Sequence, residues 1–323
     1  MAEIILGIGT SHSPQISTPV EKWLEGNERY QEGGFELHSA RDGARVSYEE
    51  LLEMAPPGLE KEITPEKFEA RHAENLANLA WLGEVIADAA PDLLVIFGDD
   101  QKELFLDEQI PFMCVYWGES FQIIRAADRL SSLPGYSWPE PRTIQGHAPL
   151  ARHLIEHLND ADINVSHASR LPEGKGMSHP FAMVHRQILD GNHIPTVPFW
   201  VNTFFPPNQP SPKRAYEIGR AVGRAIQDWP GKERVAIMAS GGLSHFVLDE
   251  ELDARQLKAM KERDTETIFN LPKERMQAGT SENLLWLAAA GALEHLDMTD
   301  TRYVPCYRNL AGTGCAMGFA RWS

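Results

Sequence analysis

The feature that most constrains this chain is a short, almost unbroken apolar run that ends in glycine and polar residues. The first is Ile4-Ile5-Leu6-Gly7-Ile8, followed by Gly9-Thr10-Ser11-His12-Ser13-Pro14. A run with no polar face belongs in a sheet covered on both sides. Gly7 and Gly9 let other groups approach the backbone closely, and Pro14 ends the strand. Asp92–Phe97, Ile194–Thr203 and Val235–Ala239 read the same way. Between these runs, Thr64-Pro65 opens a helix with an N-cap and a first-position proline, and Ser211-Pro212 opens another. Strands alternating with helices predict an α/β fold. The expected architecture is a single domain over 1–323, with a mostly parallel central sheet flanked by helices and the active site at the C-terminal ends of the strands.

Composition narrows the partners. The net charge of −16 argues against nucleic acid and against an anionic membrane surface, both of which need clustered Lys and Arg. No window approaches the roughly 18–20 apolar residues of a membrane span, and no basic-then-apolar leader opens the chain, so a cytoplasmic location is expected. Cys114, Cys306 and Cys315 are too few and too scattered for a disulfide framework or a cysteine zinc site.

The other segments are assigned more coarsely. Phe68, His72, Leu76, Leu79 and Ile86 form the inward stripe of the helix that runs to Ala90, with His72 packed in or near the core. Tyr48–Met54 is a short helix, Ile110–Trp117 a strand, Leu133–Gly146 a loop and Pro149–Leu158 a helix. A helix follows His179 as far as Leu189, and another runs from Glu250 towards Phe269. An apolar helix spans Glu282–Leu293, and Tyr303–Tyr307 and Cys315–Ala320 are strands. His147, His153, His157 and His167 fit a surface helix face. The polar stretch from Val20 to Ile63 is unusually long for a connection, as expected of a lid or an interface insertion.

Three histidines fall at strand ends or in glycine-broken loops: His12, His179 in Met177-Ser178-His179-Pro180-Phe181, and His245 in Gly241-Gly242-Leu243-Ser244-His245. Glu250, Glu251 and Asp253 follow the last of these, and Asp99-Asp100-Gln101 closes the second strand. Two imidazoles and a carboxylate with open positions suit Fe(II) and dioxygen, and a similar set suits a hydrolytic zinc. A Ser/His/Asp hydrolase fits poorly, because Ser11 and Ser244 lack the Gly-x-Ser-x-Gly elbow.

In their order along the chain, Gly7–Pro14, Gly98-Asp99-Asp100-Gln101, Met177–Phe181 and Gly241–His245 with Glu251-Leu252-Asp253 resemble the motifs of class III extradiol ring-cleavage dioxygenases. The similarity is to the catalytic subunit of protocatechuate 4,5-dioxygenase, in the compact gallate and 3-O-methylgallate branch, and it covers nearly everything except about Val20–Ile63. It implies a non-haem Fe(II) held by His12 and Glu251. Gln101, or Asp100 after a one-residue shift, stands where the family has its second histidine, and His38, His72 or His245 are other sources of that nitrogen. It also implies His179 as the acid/base and His245 as a neighbour of substrate or ligand. The substrate would be a small aromatic diol such as a protocatechuate, gallate or O-methylgallate, opened with O2, its carboxylate met by Arg308, Lys175 or the turn Gly312-Thr313-Gly314. A homodimer is the default expectation. The competing reading is a metal-dependent hydrolase or a binding protein on the same scaffold.

Overall fold

The computed structural model describes residues 1–24, 27–125 and 135–323. Its sheet has the strand order β10(298–307)-β11(313–322)-β1(3–10)-β8(234–240)-β2(93–98)-β7(196–201)-β3(113–116)-β6(166–168), and β9(245–247) pairs with β11. The four middle strands β1, β8, β2 and β7 are parallel. They are also the uninterrupted apolar runs of the sequence, buried by helices on both faces as parallel strands require. Antiparallel strands close both flanks, with β11 along β1 and β3 along β7. The α/β expectation therefore holds, with a sheet that is mixed at its flanks.

The helices begin where the sequence places them. In α3 (Pro65–Ala89) the Thr64 hydroxyl accepts the Lys67 N–H, and in α6 (Pro212–Asp228) Ser211 does the same for Arg214. The short helix Tyr48–Met54 has a full capping box between Ser47 and Glu50. Helix α9 (Asn283–Ala292) is apolar all round and buried throughout. It can lie this deep because it crosses α6 at small residues. A Cβ on Gly219 would fall 1.7 Å from the Ala288 carbonyl oxygen, and one on Gly291 would fall 2.0 Å from that of Tyr216. Trp286 fills the space over Gly9 and donates its indole N–H to the Gly241 carbonyl at 2.9 Å. Burying a side chain of this size contributes about 3 kcal/mol. It also pins the start of α9 against the C-terminal ends of β1 and β8.

Three local expectations need correction. The helix expected from Glu250 towards Phe269 stops at Glu262, because Arg263 turns left-handed (φ 55°) and Asp264 caps a new helix, Thr265–Phe269. Of the stretch Leu133–Gly146 expected as loop, Leu133 and Pro134 lie outside the described residues, while 142–145 forms a strand paired with 120–123. The helix expected from His179 to Leu189 is α-helical only to Met183, and a wider turn follows, closed by Leu189 N–H on the Val184 carbonyl at 3.0 Å.

Candidate metal centre

His12 leaves β1 at its C-terminal end, and Asp99 leaves β2 at the same edge. His179 arrives from a loop that can come this close because Gly98 has no side chain: a Cβ there would lie 2.8 Å from Pro180 Cβ and 3.1 Å from the Phe181 ring. The ligand atoms of His12, Asp99 and His179 all lie within 4.8 Å of one another, and all three residues are buried. His12 Nε2 stands 3.1 Å from His179 Nε2 and 3.1 Å from Glu282 Oε2. Glu282 is delivered by the residue before α9. Its Oε2 also accepts the Gly242 N–H at 2.6 Å, and its Oε1 faces His245 Nε2 at 3.3 Å and Gln101 Nε2 at 3.1 Å.

The hydrogen bonds decide which ring nitrogens carry protons. Ser240 donates its single hydroxyl proton to the Pro180 carbonyl at 2.8 Å, so at 3.3 Å it can only accept from His12 Nδ1. His179 Nδ1 donates to Glu103 Oε2 at 2.6 Å, and the His179 backbone N–H donates to Glu103 Oε1 at 2.9 Å. In their neutral forms both rings then turn Nε2 lone pairs toward each other, with the Glu282 and Asp99 carboxylates beside them. Asp99 Oδ1 is buried without a hydrogen-bond partner. Acceptors facing acceptors repel unless a cation lies between them. Ligands held at right angles about 2.1 Å from a metal ion are about 3 Å apart, which matches the 3.1 Å separations here. The donor set therefore fits a divalent metal ion.

The titration of the two acids follows from the same crowding. Burial works against charge on Glu282, but His12 and His245 outweigh it and hold its carboxyl well below the usual range. Burial, with the Glu282 charge added, pushes Asp99 up to about 7, partly offset by His179 and His12. Two buried acids this close resist a second negative charge until a cation arrives.

Of the residues singled out in the sequence, His12, His179, His245 and Gln101 all line one cavity. His245 is slotted between Gly242 and Gly279, where a Cβ would lie 2.6 and 2.3 Å from its ring. Burial disfavours charge on it, yet Glu282 and the Leu243 carbonyl more than compensate and raise its pKa. Gln101 turns its amide nitrogen to Glu282, and at 3.5 Å to Asp99, so it acts as a donor to the acids rather than as a metal ligand. Asp100 accepts the backbone N–H groups of Glu103, Leu104 and Phe105 and caps the turn.

Glu251 is the clear correction. Its side chain is 65% exposed and pairs with Arg275 at 2.7 Å, beside a separate cavity that does not include His12. In the first turn of its helix it points outward, while its neighbour Glu250 accepts the Tyr307 hydroxyl. The carboxylate beside His12 is Glu282. Its only trace in the sequence is an isolated acid at the head of an otherwise apolar helix, a place where the helix dipole alone would account for it. His38 bonds the Gly43 carbonyl and Glu36, and His72 bonds the Ile16 carbonyl against Trp23, so neither reaches the cavity.

The cavity holds about 130 Å³. Three aromatic residues share its lining, with Phe35 stacked on Phe246 (ring centroids 4.2 Å apart) and Tyr30 packed on Phe35 at 4.7 Å. Tyr30 and Phe35 come from the Val20–Ile63 stretch, of which 25 and 26 lie outside the described residues. The Tyr136 hydroxyl donates to the His12 carbonyl from behind.

Residues 55–310 match the family described as the catalytic LigB subunit of aromatic ring-opening dioxygenase, and the chain belongs to that family. A Photorhabdus laumondii protein named 2,3-dihydroxyphenylpropionate/2,3-dihydroxicinnamic acid 1,2-dioxygenase is 30% identical over 51% of this chain and 46% of its own length. A Comamonas testosteroni protein of the same name is 25% identical over 78% of this chain and 69% of its own. A gallate dioxygenase of Pseudomonas putida is 32% identical over 33% of this chain and 31% of its own. In the first of these, as in several others, the chain spans about half the length of the relative it matches. Among the described residues no helix is long and apolar enough to cross a membrane.

Proposed function

We propose that the protein is an extradiol dioxygenase that opens the ring of a small catechol-type aromatic with O2, using Fe(II). The observation that carries this reading is the set of imidazole nitrogens and carboxylates converging on His12, in a cavity lined also by Tyr30, Phe35 and Phe246. His12 and Glu282 would hold the metal with Asp99 beside it; Fe(II) bound there would bring the diol and dioxygen together and pass electrons from the diol, which is oxidised, to dioxygen, itself ending as Fe(II). The protein's own groups do the rest. Glu103 fixes the His179 ring so that Nε2 is free to take a hydroxyl proton from the diol and return it later. His245 and Gln101 hold the Glu282 carboxylate in place through its Oε1. Tyr30, Phe35 and Phe246 would pack against the ring, and through Tyr30 and Phe35 the Val20–Ile63 insertion would serve as a built-in cover.

The convergence of His12, Asp99 and His179 favours one second reading, in which His179 is itself a ligand. Anaerobic loading of the His179→Ala protein separates the two. Full metal content with turnover down by about 10²- to 10⁴-fold supports the proton-transfer role. Loss of metal makes His179 a ligand. Zinc retention with no oxygen uptake on any diol would point to the hydrolase alternative instead.

A further inference from the structure

The inward member of Glu251-Leu252-Asp253 is Asp253, about 200° round the helix from the exposed Glu251 and fully buried. Four neutral donors converge on its carboxylate. The Ser244 N–H donates to Oδ1 at 3.0 Å and the Ser244 hydroxyl to Oδ2 at 2.5 Å. The Asn283 amide donates to Oδ1 at 3.2 Å, and the Tyr303 hydroxyl to Oδ2 at 2.9 Å. Burial pushes its pKa up to about 6, and the same four bonds hold it from rising further. A carboxylate buried away from water is costly unless each donor stays in place, so it fixes the segments that carry them.

Two of those segments lead straight to the cavity. Ser244 precedes His245 and Asn283 follows Glu282, while His245 Nε2 meets Glu282 Oε1 at 3.3 Å. A closed circuit results, running from Asp253 through Ser244, His245, Glu282 and Asn283 back to Asp253. Further along the same helix, Gln256 Nε2 donates to the Asn283 carbonyl at 3.2 Å and adds a second tie to the head of α9. Tyr303 is different: it lies on β10, and neither it nor its chain neighbours line the cavity.

We propose that Asp253 is a positioning residue of the metal centre: it holds Ser244 and Asn283 on one carboxylate, locks His245 against Glu282, and so aims the Glu282 oxygens before any metal binds. Losing the partners that orient a metal ligand weakens metal binding by about 10–100-fold. This role presupposes Glu282 as a ligand, within the ring-cleavage reading.

Wild type, Asp253→Asn, Ser244→Ala and Tyr303→Phe are compared by anaerobic titration with Fe(II) against a competing chelator, with urea unfolding of the metal-free proteins alongside. Ser244→Ala and Tyr303→Phe each remove one hydroxyl from the same carboxylate oxygen, and both should lower the urea midpoint. Asp253→Asn and Ser244→Ala should bind Fe(II) about 10–100-fold more weakly, whereas Tyr303→Phe should stay within about twofold of wild type. The visible absorption of the Co(II)-loaded proteins, which reports ligand geometry, should change in Ser244→Ala and not in Tyr303→Phe. Wild-type affinity in Ser244→Ala or in a folded Asp253→Asn, or equal losses in Ser244→Ala and Tyr303→Phe, overturns the positioning role and leaves ring cleavage standing. No oxygen uptake on any diol by the iron-loaded wild type, with the expected order of affinities intact, overturns ring cleavage and leaves the positioning role.

Discussion

Exchanging Glu103 for glutamine tests the proton inventory of the centre with almost no change of shape. Both carboxylate oxygens are engaged by His179, one by its backbone N–H at 2.9 Å and one by Nδ1 at 2.6 Å. Glutamine has a single oxygen. The backbone N–H can only donate and must keep that oxygen, so the amide NH2 faces Nδ1, which can accept only by giving up its proton. The proton then moves to Nε2, the atom 3.1 Å from His12, and the free base at the centre is gone. A positioned general base contributes about 10²–10⁴-fold, so turnover should fall within that range. The lost charge-assisted bond should cost about 1.5–3 kcal/mol of stability. Oxygen uptake at saturating diol gives the rate, urea unfolding gives the stability, and nitrogen-15 NMR of labelled imidazole reports which nitrogen holds the proton. A Glu103→Gln protein with wild-type turnover refutes the reasoning, as does one that loses turnover while Nδ1 keeps its proton.

Further predictions concern the metal, the acid limit and the loop. Glu282→Ala should lose bound metal, whereas Glu251→Ala should keep it and, as Glu251 is the exposed member of its ion pair and Arg275 keeps Asp249, change stability by less than about 1 kcal/mol; metal analysis showing the reverse would restore Glu251 as the ligand. Burial, with the His193 charge added, holds the His185 imidazole down to about 3. The unfolded chain, with a pKa of about 6.5, therefore takes up this proton first, so the stability it confers is complete above pH 6.5 and lost as pH falls towards 3. At pH 5 that loss is about 2 kcal/mol, and urea titrations of His185→Gln should lack this part of the slope. Gly98→Ala should displace Pro180 and cost about 1–3 kcal/mol with reduced turnover; an unchanged unfolding midpoint would show that the loop has slack.

Much of the scaffold was legible because its signals are local. Unbroken apolar runs marked the parallel strands, Thr64-Pro65 and Ser211-Pro212 marked helix starts, and the glycine-bounded histidines His12, His179 and His245 do reach one cavity. What failed depends on contacts distant in sequence. Glu251 sits in a motif that looked right, yet its helix turns it towards Arg275, and only the packing of α9 against α6 shows that Glu282 arrives beside His12. Gln101, expected as a metal ligand, lines the same cavity but turns its amide nitrogen to Glu282. The short strand 142–145 lies in a Pro- and Gly-rich stretch that reads as loop, and it pairs only with the equally short 120–123.

The position of β1 has a consequence for how the molecule is made. Gly7 pairs with Ile237 on one side and with Trp322 on the other. As the chain emerges from the ribosome, its opening strand must therefore wait, solvated and unpaired, until segments more than two hundred positions later have been synthesised. Chaperone dependence should be strongest in that interval, and a ribosome-stalled chain ending before residue 234 should leave the strand open to protease.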